Sequence, residues 1–134
     1  MAESTRSYVV VAFSPQPSLA YFLKGVMDCA GLTAIATWSN PEDLEALVQR
    51  VRPDALVYDI SYPFMENWQQ LQQLRNRGAM RDIPIVITTS EAGELFRRVG
   101  VSSAIELFAR PDNLAAVQSA LRRAIETAAP VHAT

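Results

Sequence analysis

Cysteine and histidine are almost absent from this sequence, which has one residue of each, Cys29 and His132. A single cysteine can form neither a disulfide within the chain nor a cysteine-rich metal site, and its neighbours predict that Cys29 is a small core residue. A Ser-His-Asp arrangement or a histidine metal site would depend on His132, in a C-terminal stretch that we expect to be mobile. We therefore predict that the protein is not an enzyme.

Long apolar runs and an excess of basic residues are also missing. No run of about 18 apolar residues exists, and residues 1–7 are polar, so we expect neither a signal peptide nor a membrane segment and predict a cytoplasmic protein. The formal net charge is −2, and the 12 basic residues, of which only Lys24 is a lysine, are spread along the chain. We expect no binding to nucleic acid, because there is neither a basic excess nor room for a helix-turn-helix module.

Glycine is absent from the segment that follows the first apolar run. Residues 14–18 read Ser-Pro-Gln-Pro-Ser, whereas the phosphate loops of nucleotide-binding proteins have glycines at this point. A dinucleotide site or a P-loop is therefore not expected.

Short apolar runs alternate with helical patterns along the whole chain. Strands are predicted at residues 8–13, 33–38, 55–59, 83–88 and 104–109, each followed by a helix, including a short one around residues 95–99. Strand-helix-strand connections within one sheet are right-handed, so the pattern predicts an α/β fold of the (βα)5 type, a doubly wound, five-stranded parallel sheet. The flavodoxin-like order 2-1-3-4-5 is the natural choice for five strands. With 134 residues, we expect one domain over residues 1–134, its core at about 7–127 between flexible ends.

Helix signals support this order of elements. Leu19, Phe22, Leu23, Val26, Met27 and Ala30 recur at the spacing of a buried helical stripe. Gly31 is placed to end that helix, and Asn40 is placed to cap the start of the next.

Polar residues follow four of the predicted strands. Ser14 and Pro15 come after the first strand, Asp59 ends the third, Thr89 follows the fourth, and Arg110 follows the fifth. The carboxyl ends of parallel strands face one crevice, where open sheets of this class bind ligands. Asp59 is therefore the first candidate for a functional residue.

In its order of elements and in three motifs, the chain resembles the receiver domains of response regulators, the CheY-like family. In receivers the phosphoacceptor aspartate ends the third strand and a proline follows four residues later, as Pro63 follows Asp59. A switch Thr or Ser ends the fourth strand, five residues after a proline, as Thr89 follows Pro84. A Lys-Pro pair ends the fifth strand, where this chain has Arg110 before a proline.

The departures from the receiver pattern concern the metal site. Receivers have two acids after the first strand that hold Mg²⁺ together with the phosphoacceptor, and here those positions are Ser14 and Pro15. Mg²⁺ prefers octahedral ligation by carboxylates and waters, so the resemblance implies a lost Mg²⁺ site, no cofactor and a degenerate receiver. Arg110 replaces the lysine that pairs with the phosphoryl group, and since arginine and lysine are not equivalent, we predict a direct salt bridge from Arg110 to Asp59.

Two functions remain open, with small-ligand binding in the crevice as a weaker third. The first is a receiver-like signalling protein that binds a histidine kinase or a downstream regulator without phosphorylation, or pairs with itself through the face of the fourth helix, fifth strand and fifth helix. The second is an authentic phosphoacceptor, modified on Asp59 by a histidine kinase, with Thr89 and Arg110 sensing the phosphoryl group. In a simpler interpretation, Asp59 is a strand-end acid paired with Arg110, and Thr89 caps a helix.

Overall fold

Five short strands form one sheet in the computed structural model, which describes residues 8–38, 40–60, 63–89, 107–109 and 114–133. The strands are Val9–Phe13 (β1), Thr33–Thr37 (β2), Ala55–Asp59 (β3), Ile85–Thr88 (β4) and Leu107–Ala109 (β5). The helices are Pro17–Cys29 (α1), Pro41–Val51 (α2), Phe64–Arg75 (α3) and the C-terminal helix Leu114–Ala133, with a 3-10 turn at Gly78–Met80. The helix predicted around residues 95–99 lies outside the described residues.

The strand order is β2-β1-β3-β4-β5, and every pair of neighbouring strands is parallel. This confirms the predicted (βα)5 class and its order 2-1-3-4-5. The register places Phe13 of β1 opposite Tyr58 of β3, and Asp59 of β3 opposite Thr88 of β4. The ends of β1, β3 and β4 therefore meet at one edge of the sheet.

Side chains that alternate along the strands form one apolar core on each face of the sheet. On one face, Val57 and Val86 pack with residues of α1 and the C-terminal helix. On the other face, Leu56, Tyr58 and Ile87 pack with residues of α2 and α3. Because both faces are covered, the central strands are apolar nearly throughout, as is usual for a parallel sheet.

The predicted helix ends are present. Gly31 has a φ of 84°, and its N–H donates to the carbonyl of Asp28 while the N–H of Leu32 donates to that of Met27, so glycine ends α1 in a Schellman motif. At the start of α2, the side chain of Asn40 accepts from the backbone N–H of Asp43 at 2.9 Å. The short-range sequence signals thus predict the end of α1 and the start of α2 correctly.

Two side chains of α1 lie where the sequence does not predict them. Phe22 is 44% exposed although it belongs to the apolar stripe, and Cys29 is exposed, so its prediction as a core residue is wrong. The core side of α1 is filled by Ala20, Leu23, Val26 and Met27. The apolar residues of α1 extend around more of the helix than the sheet covers, so Phe22 and Cys29 remain on the outer side.

Candidate functional site

Three polar side chains lie on the same face of the sheet at the carboxyl ends of neighbouring strands. Asp59 ends β3 two residues after Val57, a member of the core shared by α1 and the C-terminal helix. Thr88 ends β4 two residues after Val86 of the same core. Ser14 follows β1 with the same alternation. A strand period of two therefore brings the three side chains together.

Asp59 is almost fully buried, with 1% of its surface exposed. The hydroxyl of Ser14 donates to its Oδ2 at 3.2 Å, and the hydroxyl of Thr88 donates to its Oδ1 at 2.9 Å. Both donors are fully buried. Each carboxylate oxygen thus accepts a hydrogen bond from a hydroxyl, which favours the charged form of a buried acid.

The loop after β1 fixes the position of Ser14. Its backbone N–H donates to the carbonyl of Thr37 on the edge strand β2 at 3.2 Å. Its hydroxyl oxygen also accepts from the backbone N–H of Gln16 at 3.1 Å, a local turn typical of serine. One hydroxyl therefore serves as acceptor for its own loop and as donor to Asp59.

The structure places the predicted site residues unequally. Ser14 lies against Asp59, whereas Pro15 is exposed at the next position. Thr89 is fully buried just beyond β4, and its role as a phosphate-sensing residue stays a prediction. Arg110 lies outside the described residues, so its salt bridge with Asp59 also stays a prediction.

Thr88 is the site residue that the sequence analysis missed. The sequence pattern predicts Thr88 as the last residue of an apolar strand and Thr89 as the switch residue. The signal that identifies it is register, because Asp59 and Thr88 are paired residues of adjacent parallel strands. Paired residues present their side chains on the same face of a sheet.

The described side chains that bond to Asp59 are two hydroxyls, whereas a Mg²⁺ site is usually built on carboxylates. Mg²⁺ binds through carboxylates, waters and other hard oxygen ligands in octahedral geometry. Among the described residues, no group of three His, Cys, Asp or Glu side chains lies close enough together to hold a metal ion. Ser14, at a position where the receiver pattern predicts an acid, donates a hydrogen bond to Asp59, whereas a metal ligand there would direct a lone pair at the ion.

Tyr58, the residue before Asp59, lies on the opposite face of the sheet. It is fully buried, and its ring packs on that of Phe13 with centroids 4.7 Å apart. Its hydroxyl has no hydrogen-bond partner among the residues that the structure describes. Burial raises the pKa of Tyr58 well above its ordinary value.

Similar proteins are found at the level of the whole fold. A sensor protein from Polaromonas sp. JS666 superposes with a TM-score of 0.78 at 19% identity, over 90% of this chain and 98% of that one. The signal receiver domain of a histidine kinase from Syntrophus aciditrophicus has a TM-score of 0.70 at 18% identity, over 90% and 92% of the two chains. The fold is that of a receiver domain. No family model matches the sequence.

In sequence, the chain is similar to the sensor histidine kinase CheAY of Helicobacter pylori. The chain is 23% identical to it over 125 residues, which cover 92% of this chain and 16% of the kinase. The chain therefore spans about a sixth of the length of that relative. In the receiver fold found here, Asp59 takes the strand-end position that the sequence motif predicts.

In the described part of the chain, no helix is both long enough and apolar enough to cross a bilayer.

Proposed function

We propose that the protein is a degenerate receiver, a signalling module that binds partner proteins without catalysing a reaction and without Mg²⁺-dependent phosphorylation of Asp59. One observation carries the proposal. Asp59 is only 1% exposed, and its carboxylate accepts a hydrogen bond from Ser14 on one oxygen and from Thr88 on the other. This arrangement stabilises the unmodified carboxylate.

Phosphorylation of a carboxylate requires one of its oxygens to attack phosphorus, so that an acyl phosphate forms and the donor departs as imidazole or acetate. Catalysis of such transfers depends on positioning and on neutralising charge on the phosphoryl oxygens. Ser14 in place of an acid removes a ligand of the neutralising cation. Burial of Asp59 also keeps a phosphoryl donor away from both oxygens.

Partners in two-component signalling are part of the proposal. The similarity to the CheAY kinase and to the receiver domain of the Syntrophus kinase supports a histidine kinase or a downstream regulator as partner, in the cytoplasm. The face of the predicted fourth helix, fifth strand and fifth helix stays a candidate surface for such contacts, including self-pairing. The predicted fourth helix of that face lies outside the described residues, whereas β5 and the C-terminal helix are described.

The test is phosphorylation in solution. The chain is incubated with Mg²⁺ and acetyl phosphate, or with beryllofluoride, beside an active receiver as a positive control. Intact mass and amide chemical shifts are then recorded. We expect no phosphoryl adduct and no shifts centred on Asp59. An adduct that is present in the wild type and absent from Asp59→Asn would overturn the proposal.

The second candidate function is an authentic phosphoacceptor. The position of Asp59 at the end of β3, paired with Thr88 of β4, favours it. A Ser14→Asp/Pro15→Asp variant sharpens the distinction, because it returns acids to both positions where receivers have them. If the missing acids alone prevent the reaction, this variant acquires Mg²⁺ binding and phosphorylation that the wild type lacks. An adduct on the wild type would favour the second function directly.

A further inference from the structure

Large aromatic side chains are exposed on the outer face of α1 and just after β2. Tyr21 and Phe22 are 56% and 44% exposed, and Trp38, just after β2, is 40% exposed. The rings of Tyr21 and Trp38 lie 5.0 Å apart, and Phe22 is the next residue after Tyr21 on the helix. Contiguous exposed apolar surface of this kind marks contact sites in soluble proteins, and Tyr and Trp are enriched among the residues that dominate interface energies.

A notch lies next to this patch on the same helix. Gly25 is exposed in the middle of α1, and a Cβ atom added there would meet nothing within 4 Å. Glycine in a helix interior costs about 1 kcal/mol relative to alanine, and no packing of the described chain requires it. Cys29, also small, is exposed one turn further along. Small residues on a helix surface allow a second helix to approach closely.

The charges on α1 are balanced within the same face. Lys24 and Asp28 are the two charged residues of the helix. They form a salt bridge of 2.6 Å one turn apart, and the side-chain hydrogen bond from Lys24 is the main reason that the pKa of Asp28 is lowered. The face therefore offers one positive and one negative group and no net charge. Its best electrostatic complement is a surface with the same pair in the opposite direction.

We propose that this face of α1 binds the same face of a second copy of the chain, with the two helices antiparallel. A two-fold axis passing beside Gly25 places Phe22 of each copy against Cys29 of the other and lets Lys24 of each copy reach Asp28 of the other. The contact between Phe22 and Cys29 and the ion pair between Lys24 and Asp28 then each occur twice, once on each side of the axis, as an isologous interface requires. The proposal names a partner for the interaction module proposed above, and it does not depend on the chemistry at Asp59.

A charge placed in the notch tests the interface without disturbing the monomer. Gly25→Arg fits the open space above the helix, and arginine is a better helix former than glycine. Gln49→Arg, on the exposed side of α2, adds the same charge elsewhere. Sedimentation velocity over a range of concentrations should show a monomer–dimer equilibrium for the wild type and for Gln49→Arg. For Gly25→Arg, we expect dimerisation to weaken at least about tenfold.

A cysteine pair tests the direction of the two helices. In Phe22→Cys, residues 22 and 29 of one helix are about 10.5 Å apart along its axis, which is too far for a disulfide within the chain. Under mild oxidation, we expect covalent dimers with a disulfide between position 22 of one copy and Cys29 of the other, identified by peptide mass spectrometry. Gln73→Cys, on the exposed side of α3, is the control and should not give this selective cross-link.

Three outcomes would overturn the proposal. The first is a wild-type chain that stays monomeric at all concentrations. The second is a dimer that Gly25→Arg leaves intact but Arg122→Glu on the C-terminal helix disrupts, which would place the interface on the other predicted face. The third is a Phe22→Cys dimer without the link between positions 22 and 29. Phosphorylation of Asp59 is measured separately, so each proposal can fail without the other.

Discussion

Tyr58 and Asp59 are neighbours on β3 and both are buried, yet their polar atoms have opposite surroundings. Both carboxylate oxygens of Asp59 accept hydrogen bonds from hydroxyls. The hydroxyl of Tyr58 has no partner among the described residues and lies with the apolar core of α2 and α3. The two faces of the sheet thus give a buried polar group different surroundings at two consecutive positions of β3.

This difference indicates which face of the sheet stabilises a buried charge at its carboxyl edge. A buried polar atom without a partner costs free energy, whereas a paired one contributes modestly to stability. The face shared by α1 and the C-terminal helix therefore stabilises a charge at the carboxyl edge of the sheet. On the opposite face, the tyrosine hydroxyl is an unfavourable addition to an otherwise apolar core.

Among the single substitutions that test this contrast, Thr88→Val is expected to change the free energy of unfolding most. Valine keeps the branched shape but removes the hydroxyl that donates to Oδ1 of Asp59. Hydrogen bonds to charged groups contribute about 1.5–3 kcal/mol, so we expect the free energy of unfolding to fall by about 2 kcal/mol. Urea denaturation measures the change. Thr33→Val, at an exposed position of β2, is the control and should stay within about 0.5 kcal/mol of wild type.

A loss no larger than that of the control would mean that the buried carboxylate does not depend on Thr88. The contrast between the two faces would then have to rest on other groups near Asp59.

Ser14→Ala should have a smaller effect in the same direction. Its hydrogen bond to Asp59 is longer, at 3.2 Å. The backbone N–H of Gln16 also loses its acceptor, but Gln16 is an exposed residue and water can replace that bond. We expect a decrease of about 1 kcal/mol in the free energy of unfolding, with Ser119→Ala on the exposed side of the C-terminal helix as control. The Ser14→Ala/Thr88→Val variant should lose more than the sum of the single losses, because the carboxylate then lacks both of these hydroxyl donors at once. Simple additivity would contradict a shared site.

The fold could be predicted because its signals are local and repeated. Alternation of apolar runs with helical stripes gives the (βα)5 order, and turn residues such as Gly31 and Asn40 fix where helices end and begin. The rule that parallel strand ends face one crevice placed Asp59 at the edge. None of these steps required knowledge of contacts between distant side chains.

The details of the site could not be predicted in this way because they depend on register and coverage. The hydroxyl that reaches Oδ1 belongs to Thr88, and only the pairing of β3 with β4 identifies it. The exposure of Phe22 depends on how much of α1 the sheet covers. Apolar spacing along one helix contains no information about either quantity. The role of Arg110 stays a prediction because Arg110 lies outside the described residues.

Tyr58→Phe tests the other side of the comparison and should have the smallest effect, with the opposite sign. Phenylalanine keeps the ring that packs on Phe13 and removes the hydroxyl that has no partner. Relief of an unpaired buried hydroxyl should raise the free energy of unfolding by up to about 1 kcal/mol. Tyr21→Phe, on the exposed part of α1, is the control and should leave stability unchanged. A clear loss in Tyr58→Phe would mean that the hydroxyl is hydrogen-bonded in solution, and the contrast with Asp59 would disappear.

Alkaline pH separates the same two cases without relying on a small difference in stability. Burial raises the pKa of Tyr58 above the value of 10.0 of a free tyrosine, so the folded chain holds the phenolic proton more tightly than the unfolded chain does. This group therefore leaves stability unchanged below about pH 10 and lowers it as the pH rises further, by up to about 1.4 kcal/mol per pH unit. Tyr58→Phe lacks this loss, so the stability difference between variant and wild type should widen above pH 10. A constant difference across that range would show that the phenol ionises equally easily in the folded and unfolded chains, which a hydroxyl buried in an apolar core cannot do.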